Sequence, residues 1–240
     1  MLAGSTSVQP IAELVAEHYE IDYPGRSVSV QGGGSSAGVR ATQEGTAAIG
    51  MSSRNLKPEE QGLNTILVAQ DAIVLIVHPS NPVRALTREQ ARGVFTGQIR
   101  DWSELGGADR PITVITREEG SGTRGAFEEM VMEKQDFSVD ALVQDSTGTV
   151  RAIVASDPNG IGYISFGMVN DEVVPMAIDG VMPSRGTVAS REYTLARPFL
   201  FLTKGQPLPE AQQFIDYMLG DKGQGLVEQE GYIPVKERAR

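Results

Sequence analysis

The run Arg117-Glu118-Glu119-Gly120-Ser121-Gly122-Thr123-Arg124-Gly125 sets an arginine beside two hydroxyl side chains and three glycines. Hydroxyls and amide N–H groups donate hydrogen bonds, and a guanidinium fork matches an oxyanion in two parallel bonds. Glycine lets a ligand approach the backbone closely. Gly4-Ser5-Thr6-Ser7 and Gly32-Gly33-Gly34-Ser35-Ser36 have the same make-up. This is the chemistry of gripping an anion.

Each of these runs lies where a helix should start. The stretch 112–115 is a strand-like run, and apolar Phe127, Met130 and Val131 follow the glycines at helical spacing. A helix start offers unpaired N–H groups and the positive end of a dipole, which together favour an anion. A Ser or Thr there is ordinarily only an N-cap. Three hydroxyl-rich starts in one chain instead imply one oxyanion held from several sides. Arg117 then reads as a clamp, or as one half of an ion pair with Glu118 or Glu119. Arg54, after Ser52-Ser53, reads as a second clamp or as a solvated loop arginine.

Motifs for bond-making chemistry are weaker. Gly34-Ser35-Ser36-Ala37-Gly38 fits the nucleophile-elbow pattern with Ser36 as nucleophile, but His78 is the one histidine after it. Residues 120–125 fit G-x-G-x-x-G, yet Glu118 and Glu119 would face a pyrophosphate badly; 32–37 fit the variant ending in alanine, with no acid near 51–57 to hold a ribose. There is no P-loop. With no cysteine and two histidines, thiolate and multi-histidine metal sites are excluded. A net charge of −10 argues against nucleic acid as a partner. It does not argue against a small anion, which responds to local donors more than to screened surface charge. No apolar run approaches the ~18 residues of a membrane span. Met1-Leu2-Ala3 has neither the basic nor the apolar region of a secretory signal.

Strand-like and helix-like stretches alternate along the 240 residues, which indicates α/β layers. Helices are expected over 10–19, with Ser7 as N-cap, over 35–45, after the capping box at Thr87, over 146–155 and around 214–219. Strands are expected at 27–30, 47–51, 66–69, 73–77, 112–115, 162–164 and 199–202.

Taken together, Gly4-Ser5-Thr6-Ser7-Val8, Gly33-Gly34-Ser35-Ser36-Ala37-Gly38, Ile49-Gly50-Met51-Ser52-Ser53-Arg54 and the 117–124 run resemble the substrate-binding subunit of the phosphate ABC transporter (Pst system). So do residues 95–102, 160–165 and 197–199, in order and nearly end to end. The resemblance implies a two-lobed periplasmic-binding-protein fold of type II, each lobe a mixed sheet flanked by helices. Lobe 1 would be 1–77 plus 198–240 and lobe 2 would be 78–197, with crossovers near 77–80 and 193–198. Phosphate would sit in the cleft, whose closure is the expected motion.

The same resemblance implies Thr6, Ser7, Ser35, Ser53 and Arg54 as ligands from one lobe, and Arg117, Ser121, Gly122 and Thr123 from the other. Some family members have an aspartate where Ser53 stands, a carboxylate that accepts the proton of hydrogen phosphate. Glu119 would take that acceptor role or pair with Arg117. The implied protein is a monomeric, non-enzymatic receptor without cofactor or metal. It would deliver inorganic phosphate to a membrane permease from a periplasmic or extracellular position, with a lipid anchor ahead of residue 1 left open. The alternatives are another tetrahedral oxyanion (sulfate, molybdate or a phosphonate) and a serine hydrolase using Ser36.

Overall fold

The structure, a computed structural model, describes residues 1–235. In chain order it begins with β1 (Leu2–Gly4), α1 (Gln9–Asp22), β2 (Val30–Gly32), α2 (Ser35–Glu44) and β3 (Ile49–Ser52). Next come β4 (Asn64–Val77), β5 (Ala85–Leu86), α3 (Arg88–Thr96), β6 (Thr113–Arg117), α4 (Gly122–Phe127), β7 (Leu142–Gln144), α5 (Thr147–Ser156) and β8 (Gly160–Ser165). The chain continues through β9 (Val174–Pro175), β10 (Ala177–Ile178), α6 (Arg185–Ala189), β11 (Ala196–Thr203), α7 (Pro209–Leu219), α8 (Asp221–Gln229) and β12 (Ile233–Pro234).

These elements form two compact units. The first comprises Met1–Asp71, Gly120–Gly122 and the chain from Arg197 on. Its strands lie in the order β2-β1-β3-β11-β4, with β12 antiparallel to β4. The parallel pairs set Leu2 beside Val30 and Ile49; β11 runs antiparallel to β3 with Phe201 opposite Met51. Helix α1 places Ile11, Val15 and Tyr19 on one buried stripe, and α7 does the same with Phe214, Ile215 and Met218. These side chains meet Phe199, Phe201 and Met51 in one apolar core. Each such burial contributes roughly 1.5–3 kcal/mol.

The second unit comprises Ala72–Glu119 and Thr123–Ala196. Its strand order is β4-β8-β6-β7, and β5 pairs β10 separately. Val74, Ile76, Ile115, Ile164, Val150 and Val154 form its core. Phe95, Phe127 and Tyr163 pack ring to ring beside it, the last two stacked at 4.2 Å. Helix α3 starts with the expected capping box: Thr87 Oγ1 accepts from Gln90 N–H, and Gln90 reaches back to Thr87 N–H.

Several expectations are corrected. The apolar runs 66–69 and 73–77 are one strand, β4, because buried Asp71 inside it is paired with buried Arg197 (2.8 Å). The first division between units therefore falls inside β4, at 71/72 rather than 77/78. Residues 69–70 pair with β12, whereas 73–77 pair with β8. The second falls at 196/197, within β11. Ser7 is not the cap of α1; that position is Val8, and Ser7 donates its N–H to Ser5 Oγ. The expected strand 27–30 is displaced to Val30–Gly32. After Phe127 the helix widens into a π turn, Glu128–Met132, so Val131 and Met132 are fully buried rather than Met130. The expected lobe-1 residues 236–240 lie outside the described part.

Candidate functional site

The polar residues singled out above fall into two groups, one in each unit. In the first unit, α2 begins at Gly34, whose φ of 86° suits glycine, with no side-chain cap. The helix seats directly on sheet backbone. A Cβ on Gly38 would lie 2.7 Å from Ala3 O and 2.9 Å from Met51 O. That close seat brings Ser35 to the end of β3, where its Oγ accepts from Ser53 N–H at 3.1 Å. Ser53 Oγ in turn accepts from Ser5 Oγ–H at 2.9 Å. Ser5, Ser35 and Ser53 are all buried. Ser35 and Ser53 thus each accept from the protein, while neither gives its own hydroxyl proton to an acceptor among the described residues.

Both oxygens face Gly122. A Cβ there would lie 2.1 Å from Ser35 Oγ and 2.6 Å from Ser53 Oγ. Residues 120–122, expected in the second lobe, group with the first unit for this reason, and because Ser36 N–H donates to Gly120 O (3.1 Å). Ser7 and Ser121 are buried as well, whereas Thr6 is half-buried.

Arg54 is held otherwise than a clamp would be. Both terminal nitrogens meet the Glu60 carboxylate at 2.7 Å, and they also donate to Asn55 O and to Ser36 Oγ. Burial alone would raise the Glu60 pKa. The hydrogen bonds from Arg54 and from Lys57 N–H outweigh it and hold that carboxyl below its ordinary value. Ser36 Oγ receives Arg54, and no histidine is bonded to it among the described residues. His78 instead meets Ser80 Oγ at the end of β4.

In the second unit, Arg117 ends β6 and is 1% exposed. Its Nε and Nη2 reach the two carboxylate oxygens of Glu118 at 2.9 and 3.0 Å. Nε also donates to Gln144 O, Nη2 to Asp145 O and Nη1 to Thr147 Oγ1 (2.9 Å). Its partner is thus Glu118, not Glu119, which makes no ion pair among the described residues. Arg117 N–H and Thr116 Oγ1 both bond Tyr163 OH, a phenol whose pKa burial drives far up. Thr123 is buried, and Arg124 braces the turn through Glu128 Oε1 and Arg117 O.

Sequence reasoning passed over Glu60, Tyr163 and Thr147, and left Glu118 and Glu119 as alternatives for Arg117. Thr147 had a signal. Ser146-Thr147-Gly148-Thr149 is a fourth hydroxyl-rich helix start, with Ser146 as the N-cap. Among the described residues no helix is long and apolar enough to cross a membrane, and no cluster of His, Cys, Asp or Glu could hold a metal ion.

The model of a PBP superfamily domain matches residues 1–222. A phosphate-binding protein PstS of Bacillus subtilis (strain 168) is 32% identical over 243 residues, covering 98% of this chain and 80% of the relative. The chain belongs to the PstS family of phosphate-binding proteins. Within that family's fold, a structure from Clostridium perfringens is 42% identical, with a TM-score of 0.94 over 98% of both chains. It is described as a phosphate ABC transporter substrate-binding protein by assignment, with bound phosphate. An ABC-type phosphate transport receptor from Vibrio cholerae is 36% identical with a TM-score of 0.80, over 97% of this chain and 98% of that one. These relatives are binding proteins.

Proposed function

We propose that this chain binds inorganic phosphate and hands it to the permease of an ABC transporter, catalysing no reaction. The supporting observation is the pair of buried hydroxyls, Ser35 and Ser53, that accept from the protein and keep their own protons to give. A buried donor left unmatched costs free energy, and an oxyanion supplies the missing acceptor. The proposed ligands are Thr6, Ser7, Ser35, Ser53, Ser121 and Gly122, with Arg117 and Thr123. Arg54 enters as the holder of Ser36, since its terminal N–H groups are spent on Glu60, Asn55 and Ser36. Hydrogen bonds to a charged ligand are worth roughly 1.5–3 kcal/mol each, so a handful covers the ~8 kcal/mol of micromolar binding.

The permease partner and a periplasmic or extracellular position belong to the same proposal, supported by relatives named for phosphate binding and phosphate transport. No carboxylate stands at position 53, so rejection of sulfate rests on other acceptors, with Glu119 as the candidate. Titration calorimetry of ligand-stripped protein should give one phosphate per chain; no heat at micromolar protein would overturn the reading. Thermal-shift competition with sulfate, molybdate and a phosphonate ranks the oxyanions, since a ligand of the folded state raises Tm. A greater shift with any of these than with phosphate would replace the ligand and keep the receptor.

A further inference from the structure

The second unit ends in an open sheet edge. In its strand order β7 is last, paired with β6 alone in parallel register, Leu142 beside Ile115 and Gln144 beside Arg117. Gln144 turns its carbonyl toward β6, where it accepts from Glu118 N–H at 3.1 Å. The alternation of a strand then turns the N–H and C=O of Val143 away from the sheet. An outward donor and acceptor on an edge strand form a template for another strand.

Apolar side chains on this edge and in the turn before it face solvent: Leu142 is 45% and Val143 56% exposed on β7, and Val139 97% ahead of it. Leu142 also lines a groove of about 320 Å³ with Val94, Ile99, Ile112 and Val114. Carboxylates flank these residues, for Asp136, Asp140 and Asp145 are all exposed. Of the cations beside this edge, Arg117 is buried and bonded to Glu118, Gln144 O and Asp145 O, and Arg100 donates its Nε to Gly97 O.

We propose that β7 docks an extended segment of a partner protein, one that alternates basic and apolar side chains and adds a strand beside Val143. Its backbone would pair with Val143, its apolar side chains would cover Leu142 on one face of the sheet, and its basic ones would lie on the opposite face, within reach of the exposed Asp140 and Asp145 carboxylates. A second copy of this chain is a poor occupant. Edge-to-edge pairing would set the Asp140 and Asp145 carboxylates of one copy close to those of the other.

The test titrates isotope-labelled protein with the synthetic peptide Lys-Val-Lys-Val-Lys-Val-Lys and follows amide shifts. A control peptide of equal charge has proline in place of two valines. The expected result is shifts centred on 139–145, affinity at least tenfold weaker for the control, and a similar loss in Val143→Pro. That variant removes the outward N–H and the Val143 side chain together, at an edge position where proline is tolerated. Should it fold poorly, Asp140→Lys leaves the backbone intact and should weaken the peptide several-fold. Shifts spread over the whole acidic surface, equal binding of the control, or unchanged affinity in the folded variants would overturn the proposal. So would a dimer of the free protein in sedimentation that Val143→Pro dissolves, since the occupant would then be a second copy.

Discussion

In the first unit the polar centre is made of neutral groups bonded to one another: Ser5 gives to Ser53, Ser53 N–H gives to Ser35, the Ser35 and Ser53 hydroxyls keep their protons to give, and both oxygens abut a glycine. In the second unit it is a single buried cation, Arg117, tied to a half-buried carboxylate, two carbonyls and a threonine. A hydroxyl is cheap to bury once it has a partner, so the first group can be packed until only shape limits it. A guanidinium must be neutralised and aimed, so charge and direction limit the second. The first group should therefore fail by crowding and the second by loss of charge.

The largest expected effect follows from crowding. Gly122→Ala puts a methyl 2.1 Å from Ser35 Oγ and 2.6 Å from Ser53 Oγ, so both hydroxyls must rotate away. Phosphate affinity should drop at least ~100-fold by calorimetry, which corresponds to about 2.7 kcal/mol. An alanine variant that binds as tightly as the parent would show that the serine pair is not a ligand, and the contrast between the units would fall.

Next comes Arg117→Ala. It deletes a charged donor and strands the Glu118 carboxylate, and phosphate binding should weaken by about 10–150-fold. Arg117→Lys keeps the charge but loses the fork that spans Glu118 and Thr147, so it should recover only a minor part. Full recovery with lysine would mean that the second group supplies charge without direction.

A smaller effect separates ligands from their supports. Ser36 Oγ accepts from Arg54, so Ser36→Ala should change phosphate affinity less than about threefold, near the worth of a single net hydrogen bond. A fluorophosphonate probe should not label Ser36 in the parent. Labelling would bring back the hydrolase reading and break the picture of the first group as a set of donors for an anion.

Much of this contrast was legible in the residues. Glycine beside paired hydroxyls marked the first group because packing that close tolerates no Cβ, as Gly38 and Gly122 show. Arg117 was legible as an anion ligand or an ion-pair partner, but which glutamate it takes depends on the direction of each side chain after β6. Partners remote in sequence were hidden. Asp71 looked like a break between two strands because Arg197, which neutralises it, lies far along the chain. Helix α8 was missed for a related reason. Gly223 and Gly225 disfavour a helix intrinsically, yet a Cβ on Gly223 would meet Met218 O at 2.4 Å, so the tight step from α7 to α8 needs a residue without one. Arg54 looked like a clamp because nothing local announced Glu60 as its owner.

That ownership gives the smallest expected effect, on stability rather than affinity, and it sharpens the contrast from inside the first unit. The Arg54–Glu60 pair is the charged element that supports the neutral group there, with side chains 7% and 12% exposed. Burial works against the Glu60 carboxylate, but the bonds from Arg54 and Lys57 N–H win, and its folded-state pKa lies below the ordinary 4.5. A carboxyl depressed on folding adds stability that is fully present above its unfolded value and is lost as pH falls through the folded one. Glu60→Gln removes that dependence. The parent should therefore lose Tm faster than the variant as pH drops from about 5 toward 3. The difference should appear as a shallower acid limb in the variant's melting curves. Phosphate affinity at neutral pH should hold within a few-fold, because Glu60 reaches the serine pair only through Arg54 and Ser36. Equal acid limbs in melting curves of parent and variant would show that the pair is merely close, and that the neutral donors of the first unit stand without charged support.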